Sequence, residues 1–98
     1  MGETNILASF RVTKGREQDF EAARKLMAIA TRAEPGCELY EFYVDAEGTH
    51  YVIERFEDEA AFDAHRNSGH MAAWRTVMNP LFEEPPHVRR IEPTEPAD

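Results

Sequence analysis

The apolar residues change their spacing along the chain, and the order of these changes limits its folds more than any other feature. Residues 5–12 alternate between two faces, which predicts a β-strand. From Arg16 to about Arg32 apolar residues recur at helical spacing, which predicts a helix. The Glu34-Pro35-Gly36 turn terminates it. Aromatic and β-branched residues predict a strand at 39–45, and the short turn at 46–48 leads into another at 50–56. Helices are predicted at 59–66 and 70–82, and a fourth strand at 87–91.

The predicted elements follow the order β-α-β-β-α-β, because the last helical region is one unit interrupted at residues 67–69. Asp58 and Ser68 are the expected N-caps of its two parts. This order is that of the split βαβ or ferredoxin-like fold, an α+β fold with an antiparallel four-stranded sheet and helices on one face. The expected single domain spans residues 1–91, and residues 92–98 are expected to form a loose, acidic, proline-rich tail.

The predicted sheet has apolar residues on both of its faces. Leu7 lies on the opposite face of the first strand from Ile6 and Ala8, and Tyr43 lies opposite Phe42 in the second. Helices on one face would leave the other uncovered, and an exposed apolar face usually marks an interface. We therefore expect a homodimer that packs sheet against sheet.

Charge and cysteine content argue against several functional classes. The chain has 11 Lys and Arg against 19 Asp and Glu, a net charge of −8, so nucleic acids and anionic membranes are not expected partners. Cys37 is the single cysteine, which excludes an internal disulfide and suggests a small apolar residue rather than a nucleophile. The sequence has no 20-residue apolar run and no signal-peptide pattern, and a cytoplasmic location is expected.

The side chains best suited to chemistry lie around the interruption in the last helical region. His65 shares a helical face with Phe62, and His70 shares one with Trp74. The break at residues 67–69 would allow both imidazoles to face one space. Two interpretations remain open, a pair of structural histidines or a pair that transfers protons as catalytic residues. No metal site is expected, because no third ligand stands at a suitable spacing.

A set of large apolar side chains is the candidate substrate-binding surface, although the same side chains would suit a hydrophobic core. The set is Trp74, Phe62, Met71, Tyr40 and Phe42. Glu54, between Ile53 and Arg55 in the third strand, is expected either in an interface ion pair or in solvent.

A strand ending in Glu-Arg-Phe, followed by Glu-Asp-Glu-Ala-Ala-Phe-Asp-Ala-His65 and then Ser-Gly-His70, resembles the antibiotic biosynthesis monooxygenase family. The Glu34-Pro35-Gly36-Cys37 turn, followed by a tyrosine-bearing strand, is similar to the same family. The resemblance runs from about Asn5 to Ile91 and is closest to the small quinol monooxygenases.

The resemblance implies a dimeric α/β barrel in which two sheets pack face to face, with a cavity between each sheet and its helices. It also implies oxidation of phenols or hydroquinones by molecular oxygen without flavin, haem or metal, so no cofactor is expected. Haem-degrading relatives carry an asparagine and a haem-ligating histidine at positions that look like Ala8 and Trp74 here. This departure disfavours haem degradation.

Two functional hypotheses follow from different classes. The first is a cofactor-independent monooxygenase that oxidises a small aromatic substrate with molecular oxygen, with His65 or His70 as the base. The second is a non-catalytic dimeric module of the same fold that binds a small ligand or has a structural role. An open slot lined by His65, His70 and Trp74 would favour chemistry, whereas imidazoles bonded to backbone carbonyls in a collapsed core would favour the second. Isomerases and lactone-processing enzymes on this fold remain a smaller possibility.

Overall fold

The computed structural model describes residues 2–95 and contains the predicted succession of elements. These are β1 (Thr4–Phe10), α1 (Glu17–Arg32), β2 (Cys37–Val44), β3 (His50–Phe56), α2 (Glu59–Arg66), α3 (Gly69–Met78), a 3-10 turn (Asn79–Leu81) and β4 (His87–Ile91). The strands form one antiparallel sheet in the order β2-β3-β1-β4. This arrangement confirms the α+β ferredoxin-like fold.

Several element boundaries differ by one or more residues from the predicted ones, and the ends of β1 and α3 differ for physical reasons. β1 ends at Phe10 because its partner β3 begins opposite, at His50, and Val12 forms only an isolated bridge with Phe82. α3 ends at Met78, four residues before the predicted end. Pro80 has no backbone N–H for the next helical hydrogen bond, so the chain continues as a 3-10 turn.

The two predicted N-caps are confirmed. Asp58 accepts a hydrogen bond from the backbone N–H of Ala61 at 2.8 Å, and Ser68 accepts one from Met71 at 3.2 Å. The Ser68 hydroxyl also donates to the carbonyl of His65 at 2.7 Å. These bonds fix the break between α2 and α3 and thereby the direction in which each helix leaves it.

The helices cover the sheet face that carries the even-numbered residues of β1 and β3. Ala8 lies opposite Val52 on one side and Val88 on the other. The main core between this face and the helices consists of Phe10, Phe20, Met27, Tyr40, Val52, Met78 and Leu81. A smaller cluster of Ile6, Phe56 and Phe62 closes the other end, next to α2.

The opposite sheet face is partly apolar, as predicted. Leu7 lies directly opposite Ile53, and Tyr43 is 52% exposed at the β2 edge of this face. Residues 92–95 follow β4 outside any helix or strand, and the rest of the predicted tail, 96–98, lies outside the described residues. No helix within residues 2–95 has the length and hydropathy needed to cross a membrane.

Candidate functional site

A cavity of about 300 Å³ lies between the inner sheet face and the helices α2 and α3. Its walls are mostly apolar and are formed by Ile6, Ala8, Phe10, Val52, Phe62, Met71, Trp74, Phe82, Pro86 and Val88. At its mouth lie the exposed residues Arg66, Arg75 and Asn79. At its inner end lie three buried polar side chains, Tyr40, Glu54 and His65. The site therefore combines an apolar slot with a few convergent polar groups, as ligand sites usually do.

His65 is held in one orientation by a carboxylate. Its Nδ1 lies 2.9 Å from Oε2 of Glu34, and the side chain is 2% exposed. A carboxylate can only accept, so Nδ1 donates the hydrogen and the lone pair resides on Nε2. Nε2 lies 3.8 Å from Oε1 of Glu54, at the inner end of the cavity. Burial lowers the pKa of His65, and the Glu34 hydrogen bond and charge oppose this only in part, which favours a neutral base.

Glu34 reaches His65 because the turn after α1 packs against α2. The backbone N–H of Glu34 donates to the carbonyl of Thr31 at 3.0 Å, and that of Cys37 donates to Glu34 at 3.1 Å. A β-carbon at Gly36 would overlap the side chain of Ala61 in α2. Glycine is therefore required for the close approach that brings the Glu34 carboxylate to the histidines.

His70 shares the carboxylate of Glu34 but does not line the cavity. Its Nε2 lies 2.5 Å from the same Oε2 atom that accepts from His65. The His70 side chain instead borders a shallow groove between α1 and α3, together with Met27 and Leu26. The break between the helices thus brings both imidazoles to one carboxylate, while only His65 reaches the cavity.

Glu54 is a cavity residue that sequence reasoning placed wrongly. It is 8% exposed and lies on the inner sheet face, because it alternates in β3 with the buried residues Val52 and Phe56. Neither an interface ion pair nor a solvated position fits this environment. Burial, reinforced by the nearby negative charge of Glu34, raises the pKa of Glu54 to about 8, so the carboxyl is mostly protonated at pH 7.

Tyr40 completes the polar end of the cavity. Its ring centroid lies 5.7 Å from that of His65, and the residue is 4% exposed. Burial and the neighbouring Glu54 raise the pKa of the Tyr40 hydroxyl above its usual value. The hydroxyl therefore remains a hydrogen-bond donor throughout the physiological pH range.

The structure places four of the five proposed substrate-binding side chains in the cavity and the fifth outside it. Trp74, Phe62, Met71 and Tyr40 line the cavity. Phe42 instead packs beneath α1, with its ring centroid 6.3 Å from that of Phe20 and 6.0 Å from that of Trp74. Phe42 supports the cavity wall through Trp74 without forming part of it.

Glu34, His65 and His70 also form a group that could ligate a metal ion, with donor atoms within 4.8 Å of one another. Sequence spacing did not indicate this third donor, because Glu34 is 31 residues from His65. Two imidazoles and a carboxylate suit zinc or ferrous iron. Hydrogen bonds from both rings to Oε2 already account for the proximity of the three side chains.

The sequence and the fold have counterparts among known proteins. The protein-family model described as "Antibiotic biosynthesis monooxygenase" matches residues 5–77. The chain belongs to the antibiotic biosynthesis monooxygenase family. A protein of Mycobacterium tuberculosis named "Putative monooxygenase Rv0793" is 31% identical over 93 residues, covering 94% of this chain and 92% of the relative.

Several solved structures superimpose closely on this chain. The structure of the Mycobacterium tuberculosis protein has a TM-score of 0.90 at 29% identity, with 98% of this chain and 99% of that chain covered. A protein of Shewanella oneidensis has a TM-score of 0.83 at 30% identity, with 92% and 89% covered. An antibiotic biosynthesis monooxygenase-type protein of Caulobacter crescentus has a TM-score of 0.88 at 23% identity, with 96% and 92% covered, which supports the fold alone. The family model and the Mycobacterium tuberculosis relative support a monooxygenase-like role.

Proposed function

We propose that this protein is a cofactor-independent monooxygenase that oxidises a phenol or hydroquinone with molecular oxygen. The observation that carries the proposal is the inner end of the cavity. There, His65 presents Nε2 beside a protonated Glu54 while Glu34 fixes its other ring nitrogen. A buried neutral base and a neutral acid at the end of an apolar slot suit the removal of a phenolic proton and the binding of the resulting anion.

Substrate binding uses the apolar walls of the cavity. A volume of about 300 Å³ lies at the lower end of the range for ligand sites and suits an aromatic molecule of one or two rings. Trp74 and Phe62 offer aromatic surfaces, and Met71 offers a flexible side chain that can adapt to the ring. The phenolic hydroxyl then points to the polar end, where it replaces the contacts with water that it loses on binding.

The reaction begins with proton transfer. His65 Nε2 takes the phenolic proton. Triplet oxygen does not react readily with closed-shell molecules in a two-electron step, so the phenolate first gives it one electron. The phenoxyl radical and superoxide combine at a ring carbon that carries hydrogen. The peroxide formed there receives its proton from the His65 imidazolium.

Loss of water completes the oxidation. His65 removes the hydrogen of the same ring carbon, the carbon–oxygen double bond forms, and the O–O bond breaks. The leaving hydroxide receives the proton from His65 and becomes water. A ring C–H has become C=O, one oxygen atom of O₂ is in the quinone, the other is in water, and the four electrons come from the substrate.

Glu54 and Tyr40 have a separate role in this scheme, because each can donate a hydrogen bond at neutral pH. Their raised pKa values keep both groups protonated while the substrate carries a negative charge. A hydrogen bond to the developing anion in a cavity with little water stabilises the phenolate and the peroxide. His65 is therefore the proposed base, Glu54 and Tyr40 bind the anion, and His70 positions Glu34.

The alternative, a non-catalytic binding module, is less well supported by the site. The cavity is open, and the imidazoles bond to a carboxylate rather than to backbone carbonyls. A raised carboxyl pKa and a desolvated histidine in one cavity are typical of catalytic sites. Burying such groups destabilises the folded protein, so their presence in one cavity favours a functional role.

We also propose that two copies pair through their uncovered sheet faces. The support is the central Leu7 and Ile53 pair. Arg89 and Glu41 flank this pair in the sheet, and the apolar Leu39, Tyr43 and Ile91 lie farther along the same face. Ile53→Lys should convert a dimer into a monomer, because it places a charge at the centre of this face. Light scattering after size-exclusion chromatography measures the mass, with Glu47→Lys in the exposed β2–β3 turn as control. A monomeric wild type contradicts this proposal.

Oxygen uptake tests the proposed activity. Chelator-treated protein is given a panel of hydroquinones and phenols in an oxygen electrode, with His65→Ala measured at equal concentration. The proposal expects uptake by the wild type that the variant largely loses. Equal uptake by both proteins would contradict the role of His65, and no uptake by either on the full panel would favour the binding module.

A further inference from the structure

The mouth of the cavity carries an arginine that has no acidic partner within the described part of the chain. Two arginines line it, Arg66 and Arg75. Arg66 forms an ion pair with Asp63. Among residues 2–95 no carboxylate pairs with Arg75, whose guanidinium donates to the backbone carbonyl of Arg66 at 3.0 Å. Most of the five N–H donors of Arg75 remain available to another partner.

The charge of Arg75 acts at the far end of the same cavity. Burial is the main cause that lowers the pKa of His65, and the positive charges of neighbouring side chains, including Arg75, add to this effect. Arg75 and His65 line the same cavity, so a small aromatic molecule held beside His65 can extend to the guanidinium. Asn79 lies one helical turn after Arg75 and lines the same mouth, where its side-chain amide can also donate.

The remaining charges leave room for an anion at this position. Glu54 is the one acidic residue among the described residues that line the cavity, it lies at the inner end, and the walls are mostly apolar. The whole chain carries a net charge of −8, so most of its surface repels anions. An unpaired guanidinium at the mouth of an apolar slot is the arrangement that selects a ligand with an acidic group at one end.

We propose that the substrate is an aromatic carboxylate, whose carboxylate binds Arg75 at the mouth while its phenolic hydroxyl faces His65. This inference rests on the proposed function for the direction of the phenol. Arg75 then determines specificity, because a guanidinium binds a carboxylate through two parallel hydrogen bonds. It also fixes which end of the ring reaches the base.

The single tryptophan provides a direct measure of binding, because Trp74 lines the cavity. Its fluorescence is titrated without oxygen with 2,5-dihydroxybenzoate and with the methyl ester of that acid, which has no charge. The wild type should bind the acid about tenfold more tightly than the ester, as expected for one hydrogen-bonded charge pair. Raising the salt concentration should reduce this preference, since the mouth is exposed.

Two variants separate the charge of Arg75 from other effects. Arg75→Gln should lose the preference for the acid while its affinity for the ester stays the same. Arg66→Gln, the matched control, should keep the preference, since Asp63 already neutralises Arg66. Equal binding of acid and ester by the wild type, a lack of binding by both, or an unchanged preference in Arg75→Gln would overturn the proposal.

Oxygen uptake distinguishes this inference from the function on which it rests. If the wild type oxidises uncharged hydroquinones but shows no preference for the acid, the carboxylate site is wrong and the monooxygenase remains. If the preference exists and depends on Arg75 but no substrate is oxidised, the anion site stands and the reaction is wrong.

Discussion

Replacing Glu54 by glutamine should make the protein more stable at alkaline pH. Burial and the charge of Glu34 raise the pKa of Glu54 from 4.5 to about 8. Between these values the unfolded chain has released the Glu54 proton while the folded protein retains it, so the free energy of unfolding falls as pH rises. Glutamine resembles the protonated carboxyl in size and carries no proton to lose.

The size of the stability change follows from the difference between the pKa of Glu54 in the unfolded chain and its pKa in the folded protein. Each pKa unit corresponds to about 1.4 kcal/mol, so the penalty on the folded state is at most about 5 kcal/mol above pH 8. It is about 3 kcal/mol at pH 7 and below about 1 kcal/mol at pH 5. The stability gained by Glu54→Gln should therefore grow by about 4 kcal/mol between pH 5 and pH 9.

Urea unfolding at a series of pH values measures this difference at a fixed protein concentration, because association would otherwise change the apparent stability. His65 contributes the opposite slope, since its lowered pKa makes stability fall as pH drops below its ordinary value of 6.5. Subtracting wild type from variant largely removes that contribution. Glu47→Gln, at an exposed turn position, is the control and should follow the wild type. Parallel curves for wild type and Glu54→Gln from pH 5 to pH 9 would refute the assignment of a protonated Glu54.

Further predictions concern the proposed reaction. His65→Ala should lower kcat by about 10²–10⁴-fold because it removes the base, while His70→Ala should have a smaller effect because that ring bonds to Glu34 and does not line the cavity; steady-state oxygen uptake measures both, and a larger loss in His70→Ala would reverse their roles. Glu34→Gln should lower kcat roughly tenfold to a hundredfold and move the acidic limb of kcat/KM to lower pH, because the carboxylate charge raises the pKa of His65; a pH–rate profile without such a shift would show that Glu34 has only a structural role. Extensive treatment with a chelator should leave activity unchanged, and a loss that zinc or ferrous iron restores would indicate that Glu34, His65 and His70 hold a catalytic metal.

The fold was predictable because its signals are local. Alternation in β1, the hairpin turn before β3, helical spacing in α1 and the caps at Asp58 and Ser68 each depend on a few neighbouring residues. The errors arose where a single residue or a distant partner decides the outcome. Pro80 ended α3 early, although the apolar spacing continued to Leu81.

The site was only partly predictable, since its chemistry depends on contacts between distant parts of the chain. His65 could be recognised from its apolar face, and Glu54 could have been, because it alternates with Val52 and Phe56. Glu34 gave no comparable signal. Its position near His65 depends on the close packing of Gly36 against α2, which local spacing does not reveal.

Isotope labelling tests the central claim most directly. Chelator-treated wild type is supplied with ¹⁸O₂ and with a phenol from the panel that it oxidises. It should form a quinone that contains one labelled oxygen atom, with the second label in water. His65→Ala should form this product at a rate reduced by at least about a hundredfold. A quinone without label, formed together with hydrogen peroxide, or labelled quinone formed equally fast by both proteins, would contradict monooxygenation by His65 in this cavity.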